Sequence, residues 1–141
     1  MQSKHSFYWL TIIGCLLFLW VGFTSAETQS TPTPSLRLVR AVMCESIENY
    51  EPQNISVVFS INIGRISCYT SFDDVADVLS VHHRWYRREE LVTTKRLTLK
   101  PPSWATYSSI QLREGDKGPW RVEIWQVDGP LLETIRFSVT G

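Results

Sequence analysis

Two cysteines and two adjacent histidines are the side chains most able to bind a metal ion, namely Cys44, Cys68, His82 and His83. Cysteine-based zinc sites usually hold their ligands as close pairs, whereas these two cysteines are far apart along the chain. His82 and His83 are neighbours in a segment of alternating polarity, so they point to opposite faces of a strand and cannot hold one ion together. The sequence therefore predicts no metal site and no cofactor, and it favours His83 as a core histidine beside Trp85.

Carboxylates and hydroxyls that could perform hydrolysis occur at two places. Asp73, Asp74 and Asp77 fall in one predicted loop, where acids could come together as glycosidases require. No partner lies at a predictable distance from them, and the ligand pattern of a known calcium loop is missing. Ser108-Ser109 has no base or orienting acid that the sequence can place. We therefore predict no catalytic residue, while a hydrolase of an envelope polymer that uses the loop carboxylates stays open as an alternative.

The first 26 residues indicate the compartment in which the rest of the chain is expected to act. Met1–Ser6 is polar with one lysine, Phe7–Phe23 is almost entirely apolar, and Thr24-Ser25-Ala26 supplies small residues. This order is typical of a secretory signal, so we expect cleavage after Ala26 and a periplasmic or other extracytoplasmic location. An apolar run of about 17 residues is also at the short end of a membrane span. An uncleaved membrane anchor through residues 7–23 is therefore the alternative.

Export affects how the two remaining cysteines are interpreted. In an oxidising compartment, a pair such as Cys44 and Cys68 favours a disulfide bond. The alternative is that both are small buried hydrophobic residues.

The charge balance excludes one class of partner. The chain has 14 Lys and Arg residues against 14 Asp and Glu residues, so its formal net charge is zero. A nucleic-acid binder needs a basic footprint for phosphate contacts, and a neutral chain argues against that function.

The residues after the signal predict one all-β domain. Glu27–Ser35 is rich in Thr, Ser and Pro and is interpreted as a linker, which leaves residues 36–141 for the domain. Ile55–Ile63 and Ser80–Arg88 alternate apolar and polar residues, as half-buried strands do. Such segments total about eight short strands with regular turn signals, among them the hairpin signal Asp128-Gly129. The predicted fold is an antiparallel, immunoglobulin-like β-sandwich preceded by a signal or anchor helix, and a small closed barrel is the second choice.

Alternation also predicts an outward surface near the C-terminus. Val122 and Ile124 are expected to face the core, which places Arg121, Glu123 and Trp125 on the opposite side of the strand. After the Asp128-Gly129 turn, the neighbouring strand is expected to offer Thr134 and Arg136 on the same face. Aromatic residues beside arginine are enriched at binding surfaces, so this face is the predicted recognition surface. The alternative is that the aromatic residues only cover sheet edges.

An ordered set of short motifs resembles a known family. The motifs are Cys44-Glu45-Ser46 with Pro52, Cys68-Tyr69-Thr70, His83-Arg84-Trp85-Tyr86, Trp104-Ala105-Thr106-Tyr107-Ser108-Ser109, Gly118-Pro119-Trp120-Arg121-Val122-Glu123, and Asp128-Gly129 before Phe137-Ser138-Val139. In this order and spacing they resemble the bacterial domain-of-unknown-function family 2914 over most of residues 39–140. The family usually has arginine where this chain has Ala105. The resemblance implies a compact domain, often attached to an anchor or another module, and it implies no activity or catalytic residue.

These observations together predict a non-enzymatic extracytoplasmic binding or interaction module. Its partner is expected to be a protein or glycan of the cell envelope, bound through Arg121, Glu123, Trp125 and Arg136. A structural subunit of an envelope assembly, pairing through an exposed strand edge, is a further alternative. The sequence leaves the oligomeric state open.

Overall fold

The structure is a computed structural model that describes residues 35–141. The predicted signal or anchor, and the linker up to Pro34, lie outside the described residues. The described chain forms nine strands: β1 (Arg37–Glu48), β2 (Glu51–Ile55), β3 (Val58–Ser60), β4 (Arg65–Asp73), β5 (Leu79–Arg87), β6 (Glu90–Leu99), β7 (Trp104–Gln111), β8 (Gly118–Gln126) and β9 (Leu131–Thr140). Short 3-10 turns occupy Ile61–Ile63 and Glu114–Asp116. Within this part of the chain, no helix is long and apolar enough to cross a membrane.

The strands form two sheets that pack as a sandwich, which confirms the predicted fold class. One sheet has four strands in the order β2-β1-β4-β7, and the other has five in the order β3-β9-β8-β5-β6. Every pairing is antiparallel except that of β3 with β9, which is parallel. β6 and β7 each pair with a single strand, so each is an edge of its sheet.

One predicted strand is divided in the structure. Within the alternating run Ile55–Ile63, one strand ends and another begins. The first, β2, belongs to the four-stranded sheet, and the second, β3, belongs to the five-stranded sheet. The chain crosses between the sheets at Ser56, whose side chain bonds with the backbone of Val58. Gly64, in the left-handed region at a φ of 74°, then turns the chain into β4. Crossing between sheets breaks the alternation, and this is why the sandwich has nine strands.

The core lies between the sheets, and β5 supplies its centre. Val81, His83 and Trp85 are all fully buried, which confirms the predicted inner face of this strand. Trp85 meets Phe137 of β9 edge to face, with 6.1 Å between the ring centroids. Aromatic contacts of this kind add specific packing to the area they bury.

A chain of hydrogen bonds satisfies the polar groups inside this core. The Trp85 indole N–H donates to Ser108 Oγ at 3.1 Å, and Thr70 Oγ1 donates to the Thr106 carbonyl at 3.5 Å. Between them, His83 Nδ1 lies 2.7 Å from Ser108 Oγ and Nε2 lies 3.2 Å from Thr70 Oγ1. Since an indole can only donate and a carbonyl can only accept, the bonds run in one direction and place the proton on His83 Nε2. Burial lowers the pKa of His83 to about 4, so the ring is neutral.

The predicted disulfide between Cys44 and Cys68 is not formed, and both residues are free, buried thiols. In the β1–β4 register, Cys44 lies opposite Ser67, while Cys68 lies opposite Met43. An offset of one residue puts the two side chains on opposite faces of the same sheet. Cys68 therefore joins the core with Met43, and Cys44 faces outward. Burial raises the pKa of Cys44 to about 11 and raises that of Cys68 as well.

The hairpin formed by the end of β1 and β2 folds back over the outer face of the four-stranded sheet. Glu51 is paired with Glu48 in the hairpin, and a straight strand would separate Arg40 from Glu48 by roughly 26 Å. Arg40 Nη1 nevertheless lies 3.4 Å from Glu51 Oε2. We call residues 45–55 the hairpin arm. Its position explains why Cys44, although outward-facing, is fully buried.

Candidate functional site

The four residues of the predicted recognition surface lie together on the outer face of the five-stranded sheet. The pairing of β5, β8 and β9 sets side chains in cross-strand rows, Tyr86–Arg121–Arg136, then Arg84–Glu123–Thr134, then His82–Trp125. Directly opposed side chains in neighbouring strands are about 5 Å apart and interact. We call these three rows the charged face. Thr134 and Arg136 occupy the places that the sequence predicts for them.

Glu123 links the rows of the charged face, because its carboxylate bonds to a residue of each neighbouring row. One carboxylate oxygen accepts from Arg121 Nε at 3.0 Å, and the other accepts from the indole N–H of Trp125 at 2.9 Å. Partial burial acts to raise the pKa of Glu123, but these hydrogen bonds outweigh it and hold the pKa below its ordinary value. Trp125 is half-buried beside this carboxylate. Its indole therefore lies on the outer face with its polar group already paired.

Arginines stack on both aromatic rings of the charged face. The Arg121 guanidinium lies 4.0 Å from the centroid of the Tyr86 ring, and that of Arg84 lies 5.0 Å from the Trp125 ring. Cation–π contacts of this kind hold both partners in fixed orientations. The charged face is thereby ordered by its own side chains.

Positive charge is in excess on this face. The three rows contain three arginines and one glutamate, and Glu89 of the β5–β6 turn adds a second carboxylate at Arg121. Arg136 is exposed, lies directly opposite Arg121, and forms no ion pair within residues 35–141. Arg88 joins these two arginines around a small cavity of about 40 Å³. Glu89 and Glu123 offset the charge of Arg121, whereas the charge of Arg136 has no carboxylate partner among the described residues.

A second candidate site lies between the hairpin arm and the four-stranded sheet. It is a cleft of about 160 Å³ lined by Ile47, Tyr50, Tyr69, Trp104, Ala105, Thr106 and Tyr107. Tyr69 and Tyr107 are cross-strand partners on the outer face, and Ile47 and Tyr50 come from the arm. We call this site the aromatic cleft. The side chains of Tyr50 and Tyr107 are accessible, at 86% and 50% exposure.

Trp104 differs from the other tryptophans of the described chain. The indole N–H groups of Trp85, Trp120 and Trp125 each donate to a protein oxygen. That of Trp104 has no acceptor among residues 35–141, and the residue is 37% exposed. Lys100 Nζ lies 5.5 Å from its ring centroid. Trp104 pairs with the core residue Phe72 in the β4–β7 register, so it lies on the inner face at the end of β7, opposite to Tyr107.

Two of the acids of the predicted hydrolytic loop are engaged by an arginine. Arg37 donates to Asp73 at 2.8 Å and to Asp74 at 3.1 Å, and Ser103 Oγ donates to the second oxygen of Asp73 at 2.8 Å. Asp77 is exposed. These contacts hold the end of β4 against the start of β1, so the ion pairs have a structural role.

The candidate metal ligands are dispersed by the fold. His82 belongs to the charged face and His83 to the core, as alternation predicts. Within the part of the chain that the structure describes, no three His, Cys, Asp or Glu side chains cluster as a metal site would require.

The aromatic cleft is the site that sequence reasoning missed. Tyr69 and Tyr107 have the outward parity of their strands, and that signal was available in the alternation of β4 and β7. Their pairing required the strand register, and the cleft itself required the fold-back of the hairpin arm, which no local pattern encodes.

Comparison with known proteins extends these observations. No curated protein matches the chain. The model of the family described as Protein of unknown function (DUF2914) matches residues 79–139. This segment runs from the start of β5 into β9, and so contains every row of the charged face. The family indicated by the sequence motifs is therefore confirmed over these residues.

Proposed function

We propose that the chain is an exported, non-enzymatic binding module that recognises an acidic group on a protein or glycan of the cell envelope through the charged face. The observation that carries the proposal is the exposed Arg136, placed opposite Arg121 with no ion-pair partner in the described chain. An incoming carboxylate or phosphate would give Arg136 the kind of partner that Glu89 and Glu123 already give Arg121. Charge-assisted bonds to arginine are among the stronger contacts available at a surface.

The order within the charged face supports binding. Glu123 fixes Arg121 and Trp125, so these side chains lose little freedom when a partner docks. Preorganised side chains lower the entropic cost of association. Tryptophan and arginine are also the residues that most often dominate binding energy at protein interfaces.

The alternatives have weaker support from the described residues. A hydrolase that used the loop carboxylates would first have to free Asp73 and Asp74 from Arg37. An assembly subunit that paired through the edge strand β6 would meet Lys95 and Arg96 at the middle of that strand. Charged residues on an edge strand oppose edge-to-edge pairing.

Site-specific photo-crosslinking in the native envelope tests the proposal. The full chain would carry a photoreactive residue at Thr134, within the charged face, or at Thr98, an exposed position of β6, as the matched control. We expect an adduct from position 134 that is lost at raised salt and in Arg136→Glu, since the contact depends on charge. Equal adducts from both positions, or an adduct indifferent to Arg136→Glu, would contradict the proposal.

Trp125→Ala separates binding from folding. The indole is half-buried and gains one hydrogen bond and one cation–π contact, so its loss is expected to lower the free energy of unfolding by about 1 kcal/mol. The same variant is expected to weaken the adduct strongly. A large loss of stability would show that Trp125 belongs to the core.

A further inference from the structure

We propose that the small cavity at the turn between β5 and β6 binds a phosphate monoester group of the partner, and that this group displaces the side chain of Glu89. The inference rests on the function proposed above, since the cavity lies at one end of the charged face, and it names the acidic group recognised there. We call the cavity the arginine pocket. It holds about 40 Å³, enough for one small anionic group, and its charged lining residues are Arg88, Glu89, Arg121 and Arg136.

Three guanidinium groups reach the arginine pocket from separate parts of the fold. Arg88 belongs to the turn after β5, Arg121 to β8 and Arg136 to β9. Neither Arg88 nor Arg136 forms an ion pair within residues 35–141, and the Arg121 guanidinium is held 4.0 Å from the centroid of the Tyr86 ring. Two arginines are therefore available to an incoming anion, and the third is already oriented.

The turn that carries Arg88 has side chains that its conformation does not favour. Arg88 and Glu89 are the two central residues of the hairpin between Arg87 and Glu90, at φ values of 45° and 70°. Turns with both central residues in the left-handed region are normally made by Asn-Gly or Asp-Gly, because larger side chains are strained there. Such backbone strain occurs mostly at functional sites. It points here to a role for the two charged side chains.

The backbone beside the arginine pocket makes room for the Arg88 side chain. Arg88 Nη2 donates to the carbonyl of Lys117 at 3.3 Å, and a Cβ atom at Gly118 would lie 3.2 Å from both Nε and Nη2 of Arg88. Gly118 also has a φ of 120°, which residues with a side chain rarely adopt. Glycine at this position lets the guanidinium lie against the backbone, and this holds Arg88 at the rim of the pocket.

Glu89 shows what kind of group the arginine pocket accepts. Its carboxylate accepts from Arg121 Nη1 at 2.5 Å, while its side chain is 78% exposed. An ion pair so open to water is weak and can exchange with another anion. Glu123, the second partner of Arg121, is only 16% exposed, and both of its oxygens are bonded. Glu89 is therefore the carboxylate that a ligand can replace, while Glu123 stays in place.

The charge that remains favours a phosphate monoester over a carboxylate. When Glu89 leaves the pocket, Glu123 offsets one of the three arginines, and the charges of the other two have no offset. A carboxylate brings one negative charge and would do little more than replace that of Glu89. A phosphate monoester carries about −1.5 to −2 charges at pH 7 and three acceptor oxygens, so it can neutralise both arginines and bond to all three.

NMR titration of the full chain in detergent tests the inference, with the backbone amide signals of Arg88 and Glu89 as reporters. The probes share one sugar and differ in their acidic group: glucose-6-phosphate, glucose-6-sulfate and glucuronate. We expect glucose-6-phosphate to bind about tenfold more tightly than the other two, because only its acidic group can carry two charges. A phosphoserine peptide offers the same group from a protein, and the tighter binder of the two phosphates identifies the source as glycan or protein.

Substitutions at the two turn positions are expected to act in opposite directions. Arg88→Asn removes one guanidinium and suits the left-handed conformation, so it is expected to fold and to weaken glucose-6-phosphate binding by about tenfold. Glu89→Gln removes the competing carboxylate and keeps its shape, and it is expected to tighten binding by about threefold. Arg96→Asn, at an exposed position of β6, is the matched control and is expected to bind as the parent does in 0.15 M salt, which screens distant charges.

The inference is overturned if neither phosphate binds at millimolar concentration, or if glucose-6-sulfate or glucuronate binds as tightly as glucose-6-phosphate. Unchanged affinity in Arg88→Asn, or in Glu89→Gln, also contradicts it. None of these results affects the crosslinked adduct from position 134, so the proposed function can stand when this inference fails. Absence of that adduct in the native envelope would instead contradict the proposed function.

Discussion

The charged face and the aromatic cleft lie on the outer faces of two different sheets, and they differ in the groups that they leave exposed. On the charged face, the indole N–H of Trp125 is bound by Glu123 and its ring is covered by Arg84. The cleft is lined instead by tyrosine rings, of which those of Tyr50 and Tyr107 are accessible at 86% and 50% exposure. The first surface pairs most of its polar groups internally and leaves Arg136 without an ion-pair partner among the described residues, whereas the second exposes aromatic rings.

This difference shows that exposure alone is a poor guide to a binding surface. A residue on an outer face can belong to a closed network of hydrogen bonds, as Trp125 does. The free groups of such a face are then charges, such as that of Arg136. A residue on an outer face can also lie in a recess lined by accessible aromatic rings, as Tyr107 does. The two surfaces therefore differ in chemistry, since arginine dominates one and tyrosine the other.

The largest expected effect comes from the core that supports both surfaces. Trp85 is fully buried and its indole N–H donates to Ser108. Trp85→Ala is expected to lower the free energy of unfolding by roughly 3–5 kcal/mol, because a large buried ring is lost. Denaturant unfolding measures this free energy, and the fluorescence changes of the remaining tryptophans are expected to occur in one transition. An unchanged unfolding midpoint would mean that the faces of β5 are reversed.

The next largest effect is a dependence of stability on pH, which originates at His83 in the core between the two sheets. The pKa of His83 is lowered from 6.5 to about 4 by burial, so between these pH values the unfolded state binds the proton and the native state does not. Stability is therefore expected to fall by about 3 kcal/mol as pH decreases from 6.5 to 4, and to be fully present above 6.5.

Urea unfolding of two histidine variants isolates this contribution. His83→Gln is expected to lose that part of the pH slope, whereas His82→Gln, altered on the charged face, is expected to keep it. Parallel slopes in the parent and in His83→Gln would show that His83 does not titrate as described.

A smaller effect is expected when the network of the charged face is opened. Glu123→Ala leaves Arg121 and Trp125 without their shared acceptor and is expected to cost roughly 1–2 kcal/mol. Glu90→Ala, at an exposed position of β6, serves as the control and is expected to change stability by less than about 0.5 kcal/mol. Equal costs for the two variants would mean that the face is not held by Glu123.

Much of the architecture follows from the sequence because alternation reports directly which side of a strand is buried. It placed His83 and Trp85 in the core and Arg121, Glu123 and Trp125 together outside. The same rule fails where the chain leaves one sheet for the other, so alternation predicts a single strand over Ile55–Ile63 where the structure has two.

Features that depend on the register between strands were beyond local patterns. A disulfide between Cys44 and Cys68 was predicted from composition and compartment, but an offset of one residue across β1 and β4 sets them on opposite faces. The aromatic cleft depends on the same register and on the fold-back of the hairpin arm. Both are properties of the tertiary structure, which the neighbours of each residue along the chain do not determine.

The exchange rates of the four described indole N–H protons with water, measured by NMR on the full chain, test most directly whether Glu123 orders the charged face. We predict that Trp104 exchanges fastest, that Trp125 is slowed by its bond to Glu123, and that Trp85 and Trp120 are slowest because they are buried. Glu123→Ala is expected to bring Trp125 to the rate of Trp104. Equal rates for Trp104 and Trp125 in the parent protein would contradict the account.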